Sequence, residues 1–297
     1  YGREILIDTL GYHPEIPDED GIYDVYITNF NDGYYGVNIH EGNGVSYIKI
    51  DNDYQEGFYT SGLLVMRLTV AHEYFHAVQR WYKEVSGSEG YFFELSATWL
   101  EDLVVPEGDD YLYWVDDLFD NPEKDFDSFT SDTGYSLALY GHYLANMVEE
   151  VSHQFESTII KEIWNGIKTG YTTLESLQIV LDEYDLSFAD TWSDFMARNL
   201  YNGVYDNMDN DIYYYIDQSS PILDQYQISL INSNIFNRTV NFSINDRSVN
   251  IFSFNSYNGV SINLDHDILP SAGSIAIISN DSQNNRVDTF YSLTLNP

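Results

Sequence analysis

The sequence predicts an α+β protein: a small N-terminal sheet plus helices, followed by a small β-sandwich-like C-terminal unit. Three observations predict it. Up to about residue 60, short β-rich runs alternate with turn-forming clusters. From there to about residue 205, apolar residues recur at helical spacing. After about Asp211, short runs return roughly every ten residues, punctuated by Asn, Gly, Ser and Asp. The expected division is therefore residues 1–211 and 212–297, and a chain of 297 residues can bury a full core in either arrangement.

Strands are expected at Ile22 to Thr28 and Ser46 to Ile50, with turns at Asn31-Asp32-Gly33 and Glu41-Gly42-Asn43-Gly44. Ser61 is a suitable N-cap for a long helix. Its apolar positions, Leu63 through Val85, are too dense for a surface helix, so it reads as mostly buried and ends near Gly87. Further helices are expected at Phe92 to Val104, Tyr135 to Val151, Glu156 to Ile167, Leu174 to Tyr184 and Phe188 to Tyr201. The C-terminal strands are placed at Thr239 to Ile244, Val249 to Phe254, Val260 to Leu264, Ser274 to Ile278 and Phe290 to Leu295.

Charge narrows the function. Forty-eight acidic residues against twelve basic ones give a formal charge of −36, which repels phosphate backbones and anionic headgroups. Nucleic acid and membrane insertion are therefore excluded as modes of action, the latter also because no apolar run approaches the roughly 20 residues a span requires. With no cysteine, a transition-metal site must be built from His and carboxylate. A start at Tyr1, 27 Tyr, abundant Asn and Ser, and few Lys fit a processed, secreted chain.

Chemistry concentrates in Ala71-His72-Glu73-Tyr74-Phe75-His76-Ala77. Four residues apart on one helix, His72 and His76 lie on the same face about one turn apart and can reach one cation. Glu73 lies about 100° round the helix, where it can hold a water on the metal's open side and accept its proton. A buried Glu between two buried His needs a charge partner, and zinc supplies one. Metzincins add a third His six residues past the pair, but Tyr82 stands there.

The segment Tyr91-Phe92-Phe93-Glu94-Leu95-Ser96-Ala97-Thr98-Trp99-Leu100-Glu101 resembles the second zinc helix of aminopeptidase-like gluzincins. The match lies in an aromatic before the Glu, a small residue three positions later and a second Glu seven positions later. It departs from the family at Leu95, where the family has Gly, and at Thr98, where thermolysin-like enzymes are acidic. The chain also resembles a set of secreted bacterial metalloprotease-like proteins through Tyr35-Gly36, Ala71 to His76 and Phe93 to Glu101. The resemblance covers roughly residues 20–205 and implies a zincin-like domain with Glu94 as third ligand and Glu101 orienting the ligands. Glu101 and Asp102 are the competing ligands.

The resemblance further implies a Tyr that stabilises the oxyanion. Tyr135, in Gly134 to Leu144, is its best match, with Tyr140 and His142 as runners-up. His13, His40, His153 and His266 sit in no motif and read as surface or structural. Calcium is the candidate second cofactor, suited to the acid-rich loops Asp18-Glu19-Asp20-Gly21, Asp51-Asn52-Asp53, Glu107-Gly108-Asp109-Asp110 and Asp206 to Asp211. The function these features imply is a zinc-dependent extracellular endopeptidase. Its substrate is a protein or peptide, attacked by metal-bound water with Glu73 as general base. The Gly-x-Met-Glu-Asn segment with which aminopeptidase-type gluzincins grip a free amino terminus is absent. The alternative is a zincin-scaffold module that binds a surface protein or polysaccharide, and an intact Glu73 argues against it.

Overall fold

The computed structural model describes residues 2–30, 33–54, 61–84, 89–199, 229–231, 247–249, 251–254, 276–280 and 286–291. They combine helices with a small three-stranded sheet, an α+β arrangement. The chain forms two compact units, one of residues 1–115 and 129–185, the other of 116–128 and 186–297.

In the first unit, β1 (Val25–Thr28), β2 (Gly36–Gly42) and β3 (Val45–Asp51) form a sheet in the order β1-β3-β2. β1 runs parallel to β3 and β2 antiparallel to it. The β2–β3 hairpin turns at Asn43-Gly44, both at positive φ (55° and 80°), the combination that matches the twist of the flanking strands. Ile48 and Ile50 point into the core, and Asp51 accepts backbone amides from Phe30, Asp53 and Tyr54, tying the strand's end to two loops.

The sequence reading placed no strand at β2, and the structure corrects it. Gly36 and Asn38 pair with Ile50 and Ile48 and so share the core-facing side, while Val37 and Ile39 take the other. Val37, Asn38, Ile39 and His40 do alternate, but the polar side of the alternation faces the core.

The helix α1 (Leu63–Tyr82) lies against this face. Gly62, not Ser61, is its N-cap, and it stops at Tyr82 because Lys83 is extended, short of the expected end near Gly87. Alongside runs α2 (Gly90–Val104), in which every residue except Glu94 is buried. A 3-10 turn (Asp110–Trp114) follows, and the chain then leaves this unit for residues 116–128, which carry the short helix α3 (Asp116–Asp120).

On return, the helix expected over Tyr135 to Val151 is three segments: a 3-10 turn (Gly134–Leu137), α4 (Ala138–Tyr143) and a π turn (Leu144–Val148). Gly134 packs so close to α2 that a Cβ there would come within 2.5 Å of the Tyr91 carbonyl oxygen. A hairpin of α5 (Ile159–Thr169) and α6 (Thr173–Asp182) completes the unit. The Glu149 carboxylate caps α5 by accepting the Thr158 and Ile159 amides, and Thr172 with Glu175 forms a capping box for α6. Trp164 of α5, fully buried, packs on Phe92, Phe93 and Tyr82.

The second unit contains α7 (Phe188–Arg198), capped by Ser187 and Asp190, and an aromatic cluster of Phe126, Phe188, Trp192 and Phe195. Arg247 pairs with Asp127, and its carbonyl accepts the Phe126 amide. Four short strands follow: β4 (Ser229–Ile231) parallel to β5 (Phe252–Phe254), and β6 (Ala276–Asn280) antiparallel to β7 (Arg286–Tyr291). The expected boundary at 211/212 and the strands at Thr239 to Ile244 and Val260 to Leu264 lie outside the described residues. Among the described residues no helix is long and apolar enough to cross a membrane.

Candidate metal centre

Two helices supply the site. On α1, His72 and His76 stand one turn apart with rings 4.6 Å between centroids and nearly perpendicular. On α2, Glu94 points between them: its Oε2 is 3.1 Å from His72 Nε2 and 3.4 Å from His76 Nε2. All three ligand atoms lie within 4.8 Å of one another, and together they could hold a metal ion. A tetrahedral ion with ligands at about 2.0–2.1 Å separates its donors by about 3.3–3.4 Å, close to the two separations from Glu94. Two nitrogens and one carboxylate oxygen are also a donor set for such an ion.

Each imidazole is held by its other nitrogen, and by different means. His72 Nδ1 is 2.5 Å from Glu101 Oε1, a carboxylate two turns along α2 from Glu94. His76 Nδ1 is 2.7 Å from the side-chain oxygen of Gln79, fully buried on α1 itself. Sequence reasoning anticipated Glu101 but missed Gln79. The available signal was a lone amide on a buried apolar face three residues after a candidate ligand.

Charge in this pocket is unbalanced. Glu73, Glu94 and Glu101 face two imidazoles, an excess of buried negative charge that a dication offsets. Burial opposes ionisation of Glu94, but His76 and His72 outweigh it and hold its carboxyl well below the usual carboxylate range. Burial raises Glu101 to about 7, with His72 pulling the other way. For His72, burial lowers the pKa, yet Glu101 and then Glu94 win and the net shift is strongly upward. His72 and Glu101 are thus a coupled pair with a proton on the axis between them.

Glu73 is 8% exposed. Burial raises its pKa above the ordinary value, while both imidazoles favour the charged form. A carboxylate tuned upward but still ionisable is what a general base needs. The strand β2 is fastened against it. A Cβ on Gly36 would stand 2.5 Å from Thr69 Cγ2 and 3.1 Å from Glu73 Cγ, so only glycine permits this approach. Asn38 donates through Nδ2 to the Glu73 carbonyl at 3.1 Å and accepts from Arg80 Nε at 2.7 Å.

The Tyr135 ring stacks on His72, 5.6 Å between centroids and 11° from parallel. Burial, then Glu94 and Glu73, push its pKa well above the usual tyrosine value, so the hydroxyl keeps its proton and remains a donor. The runners-up lie elsewhere: Tyr140 stacks on Tyr143, and His142 Nε2 is 3.9 Å from Asp102 Oδ2 with its ring against Tyr111. The structure thus brings His72, Glu73, His76, Glu94, Glu101 and Tyr135 together.

The remaining histidines in the described residues are structural or exposed. His13 stacks on Trp81, His40 accepts the Gly44 amide in the hairpin, and His153 is exposed; His266 lies outside the described residues. Of the acid-rich loops, Asp18 accepts the amides of Asp20 and Gly21, an ordinary turn, and Asp206 to Asp211 lie outside the described residues. The chain matches no family model, no curated protein and no solved structure. The class the fold and site define is therefore a mixed α+β protein with a His-His-Glu group able to hold a metal ion.

Proposed function

We propose that the chain is a zinc-dependent endopeptidase of gluzincin type that acts on proteins or peptides outside the cell. The observation that carries this reading is the convergence of His72, His76 and Glu94, on two adjacent helices, beside the buried carboxylate of Glu73. His72, His76 and Glu94 would hold the zinc ion, which when bound would supply Lewis acidity for a peptide carbonyl and for an attacking water. Glu73 would accept a proton from the attacking water and return it to the departing amine. Tyr135 keeps its hydroxyl proton and stands beside Glu94, placed to donate to the oxygen that gains charge as the peptide carbonyl is attacked. Glu101 and Gln79 each hold one imidazole by the nitrogen that faces away from Glu94. The acidity of the chain, its 27 Tyr, its abundant Asn and Ser and its few Lys fit an extracellular setting.

The test is metal content together with cleavage. Purified protein should contain one zinc per chain by mass spectrometry, and should cut an unfolded substrate such as casein in a chelator-sensitive way. Zinc present without any cleavage, under conditions where the protein is folded, removes the peptidase reading and leaves a metal-binding protein.

A further inference from the structure

His76 Nδ1 faces the Gln79 side-chain oxygen, and the environment of Gln79 leaves no choice about which end of the amide that is. At the other end, Gln79 Nε2 donates to the Phe93 carbonyl at 2.9 Å and to Ser96 Oγ at 3.0 Å. The Phe93 carbonyl can only accept. Ser96 Oγ gives its own proton to the Phe92 carbonyl at 2.6 Å and also receives the Trp164 indole N–H at 3.2 Å, so towards Gln79 it too acts as an acceptor. Turning the amide over would set its oxygen against two acceptors in a site from which water is excluded: Gln79 and Ser96 are fully buried. The side-chain oxygen of Gln79 must therefore point at His76, and His76 Nδ1 must be the donor.

We propose that Gln79 is a positioning residue that fixes the tautomer and aim of His76. With the proton held on Nδ1, the lone pair sits on Nε2, the nitrogen that stands 3.4 Å from Glu94 Oε2. Without that acceptor the neutral ring is free to carry its proton on Nε2, where it blocks a metal. The inference rests on the metal-centre reading of the trio. It extends the support of the centre beyond the two metal-bearing helices, because the chain His76–Gln79–Ser96–Trp164 ends on α5.

Two measurements test it. The first compares wild type with Gln79→Leu, which keeps the volume and removes both ends of the amide. Zinc affinity is read by competition with a chromophoric chelator, and the site is also read through the visible spectrum of the cobalt-substituted protein. Zinc binding should weaken about 10- to 100-fold, with a changed cobalt spectrum, while circular dichroism shows a folded chain. Unchanged affinity and spectrum in a folded Gln79→Leu protein overturn the proposal, because a purely structural amide alters melting and leaves metal binding alone. The second uses only wild type: nitrogen-15 spectra of the metal-free, histidine-labelled protein should place the His76 proton on Nδ1. A proton on Nε2 overturns the proposal even if Gln79→Leu fails to fold. If the wild type takes up no zinc, the metal-centre reading itself falls, an outcome distinct from zinc bound equally by both proteins.

Discussion

The two halves of the candidate metal centre are built on different principles. His72 is gripped by a carboxylate from the neighbouring helix and covered by the Tyr135 ring, so its surroundings carry charge and titrate. His76 is gripped by a neutral amide from its own helix, anchored in turn to backbone carbonyls and a serine. A carboxylate behind a ligand raises its basicity, whereas an amide sets direction without adding charge. With Glu73 and Glu94 already in the pocket, a second carboxylate behind His76 would deepen an existing excess of negative charge. The asymmetry teaches that orientation and charge are supplied separately here.

The largest effect should come from the residue the two halves share. Glu94→Ala removes the donor common to both rings, and the variant should neither retain zinc through gel filtration nor show the rise in melting temperature that added zinc gives the wild type. A zinc-dependent rise that persists in Glu94→Ala would show that the halves do not meet at this carboxylate.

Next is Glu73→Gln, which should keep zinc and fold but lose about 10²- to 10⁴-fold in peptidase kcat, because an amide cannot take the proton. Full activity with zinc in place would assign the base elsewhere. Tyr135→Phe deletes the hydroxyl from the His72 half while leaving the ring stacked. It should lower kcat by about 10²- to 10³-fold with little change in zinc affinity. A loss confined to zinc binding would make Tyr135 a support for Glu94 instead.

Glu101→Gln sharpens the comparison directly, since it makes the His72 half resemble the His76 half. A weakening of zinc binding by about 10- to 100-fold is expected, and equal affinity would mean that charge behind His72 is dispensable. The smallest effect should be Ser96→Ala, which withdraws an acceptor from Gln79 and Trp164. It should reduce stability by about 1–3 kcal/mol, measured by urea unfolding. A stability equal to wild type would show that the relay behind His76 is loose.

What could be read from the sequence follows from the range of the forces involved. His72, Glu73 and His76 are legible because helical periodicity alone fixes their relation, whatever else the chain does. Glu94 and Glu101 are legible only through the resemblance of their segment to a known zinc helix, because burial along α2 is continuous except at Glu94 and carries no period. Gln79 is not, because its role depends on two acceptors contributed by α2, one of which also receives the Trp164 indole N–H from α5, and no local pattern reveals them. The strand β2, which the sequence reading did not place, turns Gly36 and Asn38 inward to meet Thr69 and Glu73, so the alternation of Val37 to His40 runs with its polar side towards the core. Helix ends moved by several residues, as at Tyr82, where an extended Lys83 pairs with Glu89 and no glycine is needed to stop the helix.

The split of the chain also bears on how a minimal form carrying the candidate site could be cut from it. The unit that carries the metal centre is interrupted by residues 116–128, whose packing partners follow residue 185. Phe126 is fully buried among Phe188 and Trp192, and Asp127 pairs with Arg247. A stop codon after Asp185 would therefore leave an orphaned thirteen-residue excursion with a bare aromatic ring, a seed for aggregation. A clean excision requires two edits: ending the chain at Asp185 and bridging Val115 to Phe129 with a short polar linker.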